Sequence, residues 1–230
     1  MYDDIADAIR TGDLATMNRL LSSDPTLVQA RVDGKRTLLH VATDWPGHFP
    51  NVKEAISTLV AHGADVNAKV LGLPHSESPL HWAASSDDVD ALDALLDHGA
   101  EIEASGAVIG GGTPLADAVA FATWRAARRL IERGASSTIW QAAALGLMDR
   151  VEDHLASDPA PAAEEVTNAF WGACHGGQLI AAQYLLSHGA NLNWVGHDHL
   201  RPLDAAARNG NAELVAWLRS QGAISARELA

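Results

Sequence analysis

Residues Ser78-Pro-Leu-His-Trp-Ala-Ala-Ser-Ser-Asp-Asp-Val-Asp-Ala-Leu-Asp-Ala-Leu-Leu-Asp-His-Gly-Ala100 contain the signals for two consecutive helices. The hydroxyl of Ser78 can cap a backbone amide of the first turn, and Pro79 fills the first helical position, where a missing N–H costs nothing. Apolar side chains then follow at helical spacing over 92–96, and Gly99 supplies the left-handed residue that ends such a helix. The stretch therefore predicts a pair of helices.

The same signals recur along the chain. Helix starts of this type are Thr37-Leu-Leu-His40, Ser78-Pro-Leu-His81, Thr113-Pro-Leu-Ala116 and Arg201-Pro-Leu-Asp204. Helix ends of this type are Gly63-Ala64, Gly99-Ala100, Gly134-Ala135, Gly189-Ala190 and Gly222-Ala223. Self-similarity at a fixed period indicates a repeat architecture, in which each unit buries its apolar face against the next unit.

Together with Asp65-Val-Asn67 and Asn191-Leu-Asn193, these motifs make the chain resemble the ankyrin repeat family. The resemblance implies an all-α solenoid of helix pairs joined by β-hairpin fingers. A period of about 33 residues divides the chain into about seven units. We therefore expect one ankyrin repeat domain over 1–230, with capping repeats near 1–32 and 197–230.

Composition limits the classes of partner. Sixteen basic and twenty-nine acidic side chains leave a formal charge of −13, which disfavours nucleic acid and anionic membrane surfaces. Cys174 is the single cysteine, so we expect neither a disulfide framework nor a cysteine-based zinc cluster. The first residues are acidic, unlike a signal peptide, and no stretch is apolar enough to span a membrane. We expect a cytoplasmic monomer without a cofactor.

The repeats are irregular in the middle of the chain. The motif positions Ala116 and Trp140 are only 24 residues apart, which leaves too few residues for a hairpin finger between them. Two other segments, 44–50 and 105–112, are longer than the pattern requires. They are either insertions tolerated at the surface or walls around a binding depression.

Tryptophan supplies seven of the twelve aromatic residues. Aligned on the repeat, five residues would share one groove, and they are Trp82, Asp117, Trp140, Gln141 and Trp171. Trp45, Trp124 and residues 106–112 would form its walls. Apolar walls with a few polar groups are typical of a ligand pocket, whereas tryptophan at helical spacing also occurs as ordinary core.

Asp117 is the candidate catalytic residue, because burial beside aromatic rings would raise its pKa and suit it to acid/base chemistry of a lyase, isomerase or hydrolase. The alternative is a carboxylate satisfied by backbone amides. Cys174 and His175 occupy positions that commonly face a partner in the ankyrin repeat family, which the chain resembles. His197-Asp-His199 lacks a third ligand, so no metal site is expected.

Two functions remain open. The first is a protein-interaction module, a scaffold or adaptor that binds a partner with a basic patch through the concave groove and fingers, as the family resemblance implies. The second is a small-molecule or enzymatic pocket in the central groove. A complete catalytic constellation is lacking, so the sequence favours interaction and leaves an enzyme as the alternative.

Overall fold

The computed structural model describes residues 2–229, which form fourteen α-helices and one two-stranded antiparallel sheet. The chain divides into two compact units, Met1–Ala135 and Ser136–Ala230, called here the N-terminal and the C-terminal unit. In the described part of the chain, no helix is long and apolar enough to cross a membrane.

The N-terminal unit contains four helix pairs. Its helices are α1 (Tyr2–Thr11), α2 (Leu14–Ser23), α3 (Leu38–Ala42), α4 (Val52–Ala61), α5 (Pro79–Ser85), α6 (Val89–Asp97), α7 (Pro114–Ala120) and α8 (Trp124–Glu132). The first helices of the pairs pack in the series α1, α3, α5 and α7, and the second helices pack in the series α2, α4, α6 and α8. Strands β1 (Arg31–Val32) and β2 (Arg36–Thr37) form a short hairpin after the 3-10 helix Pro25–Gln29.

The C-terminal unit contains three helix pairs. Its helices are α9 (Ile139–Leu145), α10 (Met148–Leu155), α11 (Ala163–His175), α12 (Leu179–Ser187), α13 (Pro202–Arg208) and α14 (Ala212–Ser220), with 3-10 helices at His197–His199 and Ala226–Leu229. Helix α11 packs on α9, α12 and α13. Phe170 and Cys174 of α11 lie in its apolar core with Leu185 of α12 and Leu214 of α14.

The predicted helix starts and ends are confirmed. At the start of α5, Nδ1 of His81 lies 2.9 Å from Oγ of Ser78 and accepts the backbone N–H of Ser78 at 3.2 Å. Gly99 and Gly189 follow their helices with φ of 88° and 90°, the left-handed conformation that glycine adopts at no steric cost. Local residue chemistry therefore sets the helix boundaries.

The seven helix pairs confirm the predicted all-α ankyrin-repeat fold. Within residues 2–229, only the β1–β2 loop has paired strands, and the other loops between repeats are held by isolated hydrogen bonds such as Ser76 N–H to the Gly106 carbonyl. Helix α8 ends at Glu132 and α9 begins at Ile139, a link too short for a hairpin, as expected. A single continuous domain over 1–230 stays a prediction.

Candidate functional site

A pocket of about 250 Å³ opens in the N-terminal unit. Residues from three successive helix pairs line it: Thr43, Asp44, Trp45, Glu77, Trp82, Ser85, Ser86, Val108 and Phe121. Both of the long segments singled out in the sequence contribute to it, through Trp45 and through Val108. The pocket combines aromatic and aliphatic walls with one buried carboxylate, Glu77.

Helix α5 positions the base of this pocket. Trp82 lies one turn into α5, and its indole N–H donates to Oε2 of Glu77 at 3.1 Å. Nδ1 of His75 lies 2.6 Å from the same oxygen, without the geometry of a hydrogen bond. Glu77 precedes the cap of α5 directly, and only 4% of its surface is exposed. Because Glu77 and Trp82 are only five residues apart, the start of α5 places this carboxylate beside the indole.

Asp117 of α7 lies behind Glu77 and has no exposed surface. Its Oδ1 accepts the backbone N–H of Ile109 at 3.3 Å, and its Oδ2 receives no hydrogen bond from any donor group. Burial, and then the charge of Glu77, raise the pKa of Asp117 to about 7, although the Ile109 amide acts in the opposite direction. The Glu77 carboxyl also hydrogen-bonds to Asp117 when one proton is present between them, which raises this pKa further.

The wall that carries Trp45 is anchored to α6. Oδ2 of Asp88 accepts the backbone N–H of His48 at 2.5 Å, while Oδ1 caps α6 at the N–H of Ala91. Asp44 pairs with Arg36 at 2.6 Å and accepts the backbone N–H of Trp45 at 3.0 Å. The Trp45 indole itself is 82% exposed. The segment therefore presents a tryptophan at the mouth of the pocket from a fixed backbone.

The second wall is held close to the loop before α5. The backbone N–H of Ser76 donates to the carbonyl of Gly106. A Cβ at position 106 would lie 2.2 Å from the Ser76 carbonyl oxygen, and φ of Gly106 is 126°, so only glycine fits there. This close approach brings Val108 to the pocket beside Phe121.

A second aromatic cluster lies in the C-terminal unit. The imidazole of His197 has its ring centre 5.0 Å from Trp171, 6.2 Å from Trp140 and 6.3 Å from Trp194. Trp171 also stacks on His175 at 5.3 Å. The Trp171 indole N–H donates to the Leu200 carbonyl at 3.0 Å, and only 2% of this residue is exposed. This cluster is filled by the protein's own side chains.

The expected site residues therefore divide between the two units. Trp45 and Trp82 line the N-terminal pocket and Asp117 lies behind it, whereas Trp140, Trp171 and His175 belong to the C-terminal cluster. Trp124 is half-buried at the start of α8 and does not line the pocket.

Two further expected site residues have structural contacts. Oε1 of Gln141 accepts the backbone N–H of Thr138, and the hydroxyl of Thr138 accepts the backbone N–H of Gln141, which caps α9. Cys174 is wholly buried in the apolar core, and burial raises the pKa of its thiol. In this conformation the Cys174 side chain offers no surface to a partner.

Glu77 is the functional candidate that sequence reasoning missed. It precedes a helix start, where it looks like one more polar loop residue. The available signal was the register of the repeats. Asp117 takes the position that Trp82 has in the preceding repeat, and neighbouring repeats place such positions side by side. Glu77, just before the helix that carries Trp82, is therefore close in sequence to a residue expected beside Asp117. Among the described residues, no group of three or more His, Cys, Asp or Glu side chains could hold a metal ion.

Comparison with known proteins gives two matches to family models. A model described as ankyrin repeats (3 copies) matches residues 5–106, and a model described as ankyrin repeats (many copies) matches residues 171–219. The first match covers most of the N-terminal unit and part of the pocket lining. A search of curated proteins finds no match to the chain.

Proposed function

Because the chain belongs to the ankyrin repeat family, whose repeats are generally protein–protein interaction modules, we propose that it binds a partner polypeptide through the N-terminal pocket and the loops around it. Family membership alone does not choose a binding surface. The exposed apolar side chains support this one.

The exposed large apolar residues of the described chain are concentrated in the N-terminal unit. Six of these eight residues lie there: Trp45, Leu71, Leu73, Val108, Ile109 and Phe121, against Ile180 and Val195 in the C-terminal unit. Trp45, Val108 and Phe121 also line the same pocket. Exposed apolar side chains gathered at one place mark an interaction surface, and aromatic residues in pockets often dominate binding energy. This concentration carries the proposal.

Charge favours a partner with basic groups. Residues 1–135 contain nineteen acidic and eleven basic side chains, and Glu77 places a carboxylate inside the pocket. A basic patch on the partner would be attracted over long range, and the attraction would weaken as salt rises. We propose the cytoplasm as the setting, since Cys174 is the single cysteine.

The test uses a photo-crosslinking residue, p-benzoylphenylalanine, in place of Trp45 and, as a control, in place of Ile180. A polypeptide crosslinked through position 45 is identified, purified and titrated against the wild-type chain, Phe121→Ser and Ile180→Ser. Phe121→Ser should weaken binding about tenfold or more, because it removes one wall of the pocket. Ile180→Ser removes a more exposed apolar side chain and should leave binding unchanged. Equal binding by all three chains would refute the proposed surface.

One observation supports the alternative, a small-molecule pocket with acid/base chemistry. Asp117 has a pKa raised to about 7 beside Glu77, which suits proton transfer near neutral pH. Asp117 has no exposed surface, so Glu77 would touch the ligand and Asp117 would hold the proton behind it. Thermal shift with a metabolite panel tests this function. A compound that stabilises the wild type but not Glu77→Gln would support it, and a panel without effect would count against it.

A further inference from the structure

Glu77 and Asp117 form a buried carboxyl pair that no lysine or arginine of the described residues neutralises. In the range 2–229, no lysine or arginine forms an ion pair with either side chain, and the partners of Glu77 are the Trp82 indole N–H and the ring of His75. Arg36, the guanidinium paired with the nearby pocket residue Asp44, is already engaged there and with Asp33. An ionised form of the pair therefore has no ammonium or guanidinium group of the described residues beside it, and His75 is the basic side chain in contact with it.

Other buried carboxylates in the same unit are fully satisfied. Asp88 is 1% exposed and uses both oxygens to accept backbone amides, from Ala91 and His48. The partly buried Asp93 accepts hydrogen bonds from the guanidinium groups of Arg129 on α8 and of Arg133, the residue that follows this helix. Asp117 is wholly buried, yet its Oδ2 has no donor, and the side chain meets the carboxyl that lines the pocket. An unsatisfied buried acceptor of this kind costs free energy unless a proton shared with the Glu77 carboxyl completes it, so the state of Glu77 at the pocket controls the state of Asp117 behind it.

We propose that the pocket binds an arginine side chain of the partner polypeptide, with the guanidinium on Glu77 and its faces against the surrounding aromatic rings. This inference rests on the proposed function and specifies the partner's anchor. A guanidinium donates through several N–H groups in one plane, so it can hydrogen-bond to a carboxylate while its face contacts an indole or phenyl ring. Trp45, Trp82 and Phe121 supply such rings around Glu77.

The aromatic lining selects arginine over lysine. An ammonium group is a compact and strongly hydrated charge, and burying it beside a single accessible carboxylate removes most of its water. The guanidinium is more weakly hydrated and stacks on aromatic faces, which gives a cation–π contribution that strengthens when water is excluded. Its positive charge also takes the place of the proton that the two carboxyl groups otherwise share.

The test is an NMR titration of the full chain labelled with ¹⁵N-tryptophan. The resonance of the Trp82 indole N–H is assigned by its loss in Trp82→Phe. The probes are three blocked tripeptides, acetyl-Ala-X-Ala-amide, in which X is arginine, lysine or citrulline. Citrulline has the shape of arginine without its charge. The arginine probe should shift this resonance and bind about tenfold or more tightly than the citrulline probe.

Two variants separate a local contact from general charge attraction. Glu77→Gln keeps an acceptor for the Trp82 indole but removes the charge, and it should weaken the arginine probe about tenfold or more. Glu54→Gln removes one exposed negative charge from α4 of the same unit and should leave the affinity unchanged. Equal losses in both variants would show that net charge alone attracts the probe and would overturn the inference.

The remaining outcomes distinguish the inference from the proposed function. Equal binding of the arginine and citrulline probes, or tighter binding of lysine, overturns the arginine anchor. If no probe shifts the Trp82 resonance while Phe121→Ser still weakens the crosslinked partner, the arginine anchor is wrong and the interaction surface stands. If the partner also binds Phe121→Ser normally, the proposed surface itself is wrong.

Discussion

Replacing Asp117 by asparagine should stabilise the protein at pH 8. The carboxyl group is wholly buried, and its pKa is raised from 3.8 to about 7, first by burial and then by the charge of Glu77. Asparagine has nearly the same shape and can still accept the N–H of Ile109. Its amide can also donate to the Glu77 carboxylate, which the ionised aspartate cannot do.

The magnitude follows from proton linkage. Between about pH 4 and pH 7 the folded chain holds the Asp117 proton, while the unfolded chain has released it. The folded state therefore binds more protons in this range, and the free energy of unfolding falls as pH rises. The pKa difference of roughly 3 pH units corresponds to about 4 kcal/mol of lost stability once pH exceeds 7. Asp117→Asn removes this loss, so its advantage over the wild type should grow from near zero at pH 4 to about 4 kcal/mol at pH 8.

The assay is urea unfolding of both full-length chains at several pH values, followed by circular dichroism. Asp93→Asn is the matched control, because the pKa of Asp93 is shifted in the opposite direction. Burial raises this pKa, but the hydrogen bonds and charges of Arg129 and Arg133 outweigh burial, so the net pKa is lowered. That variant should lose stability at pH 8, and the loss should fade only when pH falls below about 4. If Asp117→Asn destabilises the chain at pH 8, or differs from the wild type by the same amount at every pH, the reasoning about this carboxyl is wrong.

Three further predictions concern other closely packed positions. Burial lowers the pKa of His40 and of His81 to about 4, so both rings should remain neutral at pH 5.5 in ¹⁵N NMR spectra, and the stability that they contribute should fall as pH decreases from 6.5 towards 4. Cys174 should react with a thiol reagent only after urea unfolding, because its side chain is wholly buried and burial raises its pKa; rapid reaction of the folded chain would contradict its core position. Gly176→Ala should destabilise the C-terminal unit by about 3 kcal/mol in the same unfolding assay, because the new Cβ would lie 1.8 Å from the Ala144 carbonyl oxygen. An unchanged unfolding midpoint would refute this steric argument.

Local signals in the sequence predicted the helix pairs because they act within one turn of the backbone. Ser78 and His81 meet at the start of α5 as the motif requires, and Gly99 takes the expected left-handed conformation. A second hydrogen-bonding role was not predictable from one repeat. Nε2 of His40 lies 3.2 Å from the Glu77 carbonyl, and Nε2 of His81 lies 3.4 Å from the Gly112 carbonyl, so each motif histidine also contacts the loop of the next repeat.

The environment of each tryptophan could not be predicted from its position in the repeat. Trp82 and Trp171 occupy equivalent positions, yet the first lines an open pocket and the second is buried. The difference depends on the nearby loops. Glu77 accepts the indole N–H of Trp82 from the loop before α5, whereas the Leu200 carbonyl accepts that of Trp171 and His197 lies over its ring. Loop conformation, which a repeat motif does not specify, determines which indole meets solvent.

The pairing of Glu77 with Asp117 is informative because it acts against stability. Burial of Asp117, and then the charge of Glu77, cost the folded state about 4 kcal/mol above pH 7, a large share of an ordinary fold's stability that a single amide substitution would recover. A buried carboxyl pair that contacts one imidazole but no lysine or arginine can be satisfied by a proton or by a positive charge from a partner. Near pH 7 Asp117 is about half protonated, so losing its proton costs little free energy and an incoming guanidinium can replace that proton readily. The same pair therefore accounts both for the expected gain of stability in Asp117→Asn and for the preference of the pocket for a cation.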